Sequence, residues 1–223
     1  QMAILKNNFK NGKLTLKIKT IKNKTIKNPY IHKLETKIEE LEKGGYPHFM
    51  LKEIFDQPQS LRDTMRGRIV LDKGNVKFGG LEKFEKRIRS LNQITIAAMG
   101  TGRLTGFIGE YAIEELAKLP VKVEYSSEFA YRTVAVSEHN ALIAVSQSGE
   151  TADTLNAINK AKQRGMLTLG IVNVVGSRMA REVDAGIYNH IGPEIAVAST
   201  KASTSQALLM VMLAVFLGRM RDL

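Results

Sequence analysis

Residues 146–151, "SQSGET", put three hydroxyls, an amide and a glycine between two segments of different periodicity. Before them, Ala141 to Val145 is an unbroken apolar run, the pattern of a strand buried on both faces. After them, Leu155, Ile158 and Ala161 recur at helical spacing, and Gly165 stands where a helix C-cap falls. A strand-to-helix turn of this composition presents free backbone N–H groups and the positive end of a helix dipole, so its natural chemistry is anion binding. The lysine of a G-x-x-x-x-G-K-[ST] nucleotide loop is absent, and so is G-x-G-x-x-G. A small phosphorylated metabolite, held by hydroxyls, is the expected guest. The plainer alternative is a helix N-cap supplied by Ser148 or Thr151, but three hydroxyls exceed what a cap needs.

A second polar, glycine-bearing segment, "GTGRLTG" at 100–106, follows another apolar run, "ITIAAM". It serves equally as an ordinary connection or as a second wall of the same site. Glu194 and Lys201 could pair with each other or line a sugar site. His48 is expected to pack or cap and not to catalyse. His32, His139 and His190 show no ligand spacing with one another or with carboxylates, so no metal is expected.

The elements that must position these residues can be read from the pattern. From residue 94 strands alternate with helices: 94–100, 121–127, 141–146, 167–175 and 185–190 as strands, with helices at 104–119, 128–132, 151–164 and 203–220. Alternation of this kind implies a parallel sheet covered on both faces, with ligands at the carboxyl ends of its strands near a topological switch. Upstream, Asn11-Gly12 between alternating segments marks a β-hairpin. Leu34, Ile38 and Leu41 mark a short helix ended by Gly44. Pro47 opens a helix that Pro58 should close, Ser60 caps another to about Arg66, "IVLDKGNVKFGG" suggests a second hairpin, and "LEKFEKRIRSL" a helix.

Composition sets the outer bounds. The 223 residues are 43% apolar, enough for a domain-sized core plus an appendage. There is no cysteine, which excludes disulfides, thiolate metal sites and a cysteine nucleophile in this chain. The start carries lysine and asparagine in place of an apolar leader, and the apolar run at 207–218 is shorter than a bilayer span, so a cytoplasmic setting without membrane contact is expected. The net charge is +11, but residues 1–34 hold nine lysines and no acidic residue or arginine; without them the remaining 189 residues carry only +2. A solvated lysine-rich face accounts for that segment, and nucleic-acid binding is not expected, since arginine is lacking there and aromatics are few.

"SQSGETADTL", "EIAVASTKASTSQ" at 194–206 and "GGYPHFMLKEIFDQP" at 44–58 together resemble the glucosamine-6-phosphate synthase family. "SQSGET" alone marks a sugar isomerase (SIS) domain; "HFMLKEI" and "VASTKA" narrow the resemblance. It covers 44–223 closely and implies a three-layer α/β/α, flavodoxin-like SIS domain with a central parallel sheet, preceded by helices and a hairpin. Residues 1–43 look like the tail of a glutaminase domain and its linker. The resemblance implies an enzyme of hexosamine formation, the glutamine–fructose-6-phosphate aminotransferases, of which this chain is the first SIS domain. It implies that Ser146, Gln147, Ser148 and Thr151 hold the phosphate of a hexose 6-phosphate, with Thr101 close by and Val197 and Ser199 beside the sugar. The implied partners are a glutaminase domain and a second SIS domain or a second copy, and no cofactor is implied. The family's catalytic glutamate, histidine and lysine belong to the second SIS domain and tail, so this chain is expected to bind without completing catalysis. A stand-alone isomerase or a sugar-phosphate sensor is the alternative. Three positions depart from the family pattern: Gly102 stands for a serine, Ala130 for an arginine and Ser203 for a phenylalanine.

Overall fold

The computed structural model describes residues 2–8, 13–27, 42–133 and 135–223. The chain divides into two compact units, Gln1–Thr36 and Lys37–Leu223. In the first, β1 (Met2–Asn8) pairs antiparallel with β2 (Lys13–Lys19), Asn8 opposite Lys13. The Asn11-Gly12 turn and the helix expected around Leu34, Ile38 and Leu41 lie outside the described residues, as does His32.

In the second unit, five parallel strands form one sheet: β5 (Gln93–Ala98), β6 (Val121–Tyr125), β7 (Asn140–Ser146), β8 (Leu167–Val172) and β9 (Ala185–Tyr188). Their spatial order is β6-β5-β7-β8-β9, the flavodoxin-like order, with the switch point between β5 and β7. Seven α-helices are present among the described residues: α1 (Phe49–Met65), α2 (Glu85–Arg89), α3 (Gly100–Ala117), α4 (Ser126–Tyr131), α5 (Ala152–Gln163), α6 (Arg178–Glu182) and α7 (Lys201–Met220). Alternate residues of the central strands feed two cores. Ile94, Ile96, Ile143 and Val145 pack toward Ile113 of α3 and Leu209 and Leu213 of α7. Ala97, Leu142 and Ala144 pack toward Phe129 of α4 and Leu155 and Ile158 of α5. This is the expected three-layer arrangement, and it explains why β7 is buried at every position and apolar from Ala141 to Val145.

Several local expectations are corrected. Pro58 does not close a helix: α1 runs through it to Met65. The Ile54 carbonyl, which a prolyl nitrogen cannot serve, accepts the Gln57 side-chain amide at 3.1 Å. Ser60 is therefore mid-helix, bonding back to the Asp56 carbonyl at 3.1 Å, and caps nothing. "GTGRLTG" is not a loop, because α3 begins at Gly100. The "IVLDKGNVKFGG" hairpin has only two-residue strands, β3 (Ile69–Val70) and β4 (Asn75–Val76). Much of "LEKFEKRIRSL" is a 3-10 turn, Gly79–Phe84, ahead of α2. The short α6, capped by the Ser177 hydroxyl, was not legible from the pattern.

α7 is long and apolar enough to cross a membrane by length and composition, yet 67% of its apolar window is buried inside the protein. Two glycines let it approach α3: a Cβ on Gly109 would lie 2.7 Å from Met210 Sδ, and one on Gly218 would lie 2.5 Å from the Leu116 carbonyl oxygen. The apolar run at 207–218 is thus core. Met50, Leu51, Ile54 and Phe55 of α1 stay exposed.

Candidate functional site

Where β5 and β7 part company, the helices that follow them leave on opposite faces of the sheet, and a crevice opens at the strand ends. A cavity of about 330 Å³ occupies it, and its lining includes Thr101, Ser146, Gln147, Ser148, Thr151, Val197 and Ser199. All seven residues singled out in the sequence therefore meet in one place. Val197 is the most solvent-exposed of them.

The turn after β7 is built from local bonds. Gly149 takes a left-handed φ of +69°, and a Cβ there would fall 2.3 Å from Ser177 Oγ. No side chain fits. The Gly149 N–H donates to Ser146 Oγ at 3.0 Å, and the Glu150 N–H donates to Ser148 Oγ at 3.2 Å. The turn's outer side is fixed by the segment after β8: Asn173 N–H donates to the Gln147 carbonyl at 3.2 Å and Met179 N–H to the Gly149 carbonyl at 3.0 Å. Glu150 accepts the Arg178 N–H at 2.8 Å and is not among the cavity-lining residues, so it is a poor candidate for a base.

Thr151 occupies the N-cap position of α5 but makes no side-chain cap bond. Met99, at the N-cap of α3, cannot make one. Two helices thus begin at the same cavity without a side-chain cap, and each carries the positive end of its dipole there. Among the described residues, no lysine or arginine lines the cavity. Arg103, the one cation of "GTGRLTG", is held between Phe107 and Tyr125, its guanidinium carbon 4.8 Å and 4.1 Å from the two ring centres. An anion here would be held by N–H groups and hydroxyls.

The opposite wall, 194–200, has no regular structure and is suspended from two carboxylates. Glu53 of α1, only 2% exposed, accepts the Ile195 N–H at 2.6 Å and the Ala196 N–H at 3.1 Å, and its other oxygen lies 3.4 Å from the Thr200 hydroxyl. Glu194 accepts the Thr200 N–H at 3.0 Å and the Ala202 N–H at 2.9 Å, capping α7, while Ser199 Oγ lies 3.4 Å from its second oxygen. Glu194 lines the cavity as well. It does not pair with Lys201, whose buried ammonium lies 3.7 Å from Asp56. Glu53 was missed in the sequence. Its signal was a lone glutamate inside the apolar "HFMLKEIF" segment.

The remaining candidates fall elsewhere. His48 is exposed at the N-cap position of α1 without a side-chain cap bond, so it neither packs nor caps. His190 is held below the ordinary imidazole value by burial of its ring, with the charge of Arg68 adding to that and Asp63 opposing it. No cluster of metal-ligating residues occurs among the described residues. Gly102 is buried under the cavity; a Cβ would meet Ala98 and Val145 at 3.4–3.6 Å, so a small side chain fits. Ala130 is buried in the α4 core, and Ser203 is half-buried on the first turn of α7.

The SIS domain family model matches residues 87–216. A glutamine–fructose-6-phosphate aminotransferase (isomerizing) of Chlorobaculum tepidum is 48% identical over 206 residues, 92% of this chain and 33% of that protein. One from Bacteroides thetaiotaomicron is 49% identical over 191 residues, 86% of this chain and 31% of that protein. The C-terminal domain of glucosamine-fructose-6-phosphate aminotransferase from Francisella tularensis superposes with a TM-score of 0.75 at 34% identity, covering 81% of this chain and 51% of the other. The chain spans about a third of the length of the curated relatives it matches.

Proposed function

The chain belongs to the SIS domain family, and from that premise we propose that it holds a hexose 6-phosphate at its switch point, as the first of two sugar-phosphate domains in a glutamine–fructose-6-phosphate aminotransferase. The observation that carries this is the pair of uncapped helix N-termini, α3 and α5, opening on one hydroxyl-lined cavity. The phosphate lies against the N–H groups and hydroxyls of Ser146, Gln147, Ser148 and Thr151, with Thr101 beside it. The sugar lies toward Val197 and Ser199 on the loop that Glu53 and Glu194 suspend.

These residues bind and orient; hydroxyls unassisted are poor bases, and Glu150 is committed to α6. Ring opening and the proton shift between sugar carbons fall to a second SIS domain, and ammonia release falls to a glutaminase whose tail is residues 1–43. The α1 face of Met50, Ile54 and Phe55 is where a second SIS domain or another copy would dock, in a cytoplasmic enzyme.

Calorimetric titration of the purified chain with fructose 6-phosphate and with fructose tests this reading. Uptake of the phosphate ester alone is expected, without formation of glucosamine 6-phosphate when glutamine is added. Equal uptake of fructose would remove the phosphate from the argument. Turnover by the chain alone would favour a stand-alone isomerase.

A further inference from the structure

Gln206, on the second turn of α7, is 2% exposed and lines the cavity. Its side-chain amide bonds to nothing among the described residues, neither amide atom is sealed away, and the residue lines the cavity. A buried amide without partners is costly and calls for a reason. The other buried polar side chains of the lining are committed. Ser146 accepts the Gly149 N–H, and Thr154 Oγ1 lies 3.2 Å from Ser126 Oγ. Glu194 is only half-buried, and it too is occupied by Thr200 and Ala202.

The chemistry of the free group selects what it meets. A phosphate dianion only accepts hydrogen bonds, and the turn at 146–151 already supplies donors for it. An amide offers donors and an acceptor together, which matches a hydroxyl, itself donor and acceptor, or a hydroxyl beside a carbonyl. An uncharged group also adds no attraction for anions in general. We infer that Gln206 reads the sugar: Nε2–H donates to one oxygen of the bound hexose phosphate and Oε1 accepts from a neighbouring hydroxyl. This rests on the proposed reading of the cavity as a hexose-phosphate site and assigns the side chain that separates a sugar phosphate from phosphate alone.

The test titrates the full chain and its Gln206→Met variant, similar in length but apolar, with fructose 6-phosphate and with inorganic phosphate. Fructose 6-phosphate affinity is expected to fall about 10- to 100-fold, the effect of leaving buried sugar hydroxyls unpaired, with phosphate affinity unchanged. Unchanged fructose 6-phosphate affinity overturns the inference. So does an equal loss for both ligands, which would mean that Gln206 only shapes the cavity. If Gln206→Met fails to fold, judged by its thermal melt, Gln206→Leu, uncharged and likewise without donors, decides by the same comparison of ligands. A wild-type chain that binds neither ligand overturns the cavity reading itself and this inference with it.

Discussion

The turn at 146–151 is held by its own bonds and by the next connection along the sheet, whereas the loop at 194–200 is held by Glu194 within it and by Glu53, 142 residues away from Ile195 in sequence. Both walls face the same cavity. The first places hydroxyls and N–H groups with local bonds and a left-handed glycine, and backbone bonds from Asn173, Arg178 and Met179 brace its outer side. The second has no repeating bonds of its own, and its position depends on the packing of α1 against α7. A phosphate, the same in every sugar phosphate, is suited to the rigid wall. A sugar's hydroxyls, which vary, are suited to the wall that can be retuned from a distance.

The largest expected effect breaks the first wall. Gly149→Ala adds a Cβ against Ser177 at a φ of +69°, and unfolding in urea should show a loss of about 2–4 kcal/mol from strain and overpacking together. The second wall should yield differently. Glu53→Ala leaves the Ile195 and Ala196 N–H groups without their acceptor. Fructose 6-phosphate affinity should drop by about 10-fold, stability by about 1–3 kcal/mol, and amide exchange should quicken across 195–200 while the 146–151 amides keep their protection. Equal quickening in both segments would show that the walls are not independent.

A smaller effect sharpens the contrast. Gly102 leaves room for one small side chain beneath the first wall, so Gly102→Ser should fold normally and add a hydroxyl. Titration should show fructose 6-phosphate binding tightened by about 3- to 10-fold, the return from one added hydrogen bond. The least effect on binding is expected outside both walls. Burial pushes the Glu124 carboxyl up, but hydrogen bonds from Arg132 and Lys122 outweigh it and leave it below the ordinary carboxylate value. A depressed carboxylate stabilises the fold above its unfolded value, about 4.3, and that contribution fades as pH falls through the folded value. Glu124→Gln should therefore make the fall in melting temperature below about pH 4 shallower, with sugar-phosphate affinity unchanged at pH 7.

What the sequence disclosed follows the same division. The β7 run, the hydroxyl turn and the helix after it are contiguous, so periodicity and turn chemistry identified them together, and the parallel order followed from the alternation. Residues 194–200 showed their hydroxyls but not what holds them, because the partner of Ile195 is Glu53 and no local pattern records a contact across 142 positions. Gln206 lay inside a helix pattern where a polar residue signals nothing until its neighbours are known. The misreading of Pro58 has the opposite cause: a general rule was overridden by one side chain, Gln57, which serves the carbonyl the proline leaves. The start of α3 was misplaced because glycines and threonines in its first turn imitate a loop.

The central claim is that the hydroxyl turn at the α5 N-terminus holds the phosphate. Ser148 tests it most directly, since it lines the cavity and, among the described residues, its hydroxyl bonds only to the Glu150 N–H two residues on. Calorimetric titration of Ser148→Ala against wild type with fructose 6-phosphate, at one fixed salt concentration, should show a loss of about 1.5–3 kcal/mol, the value of a hydrogen bond to a charged group, with the melting temperature of the free protein unchanged. Affinity equal to wild type would contradict the account and take the phosphate away from this turn.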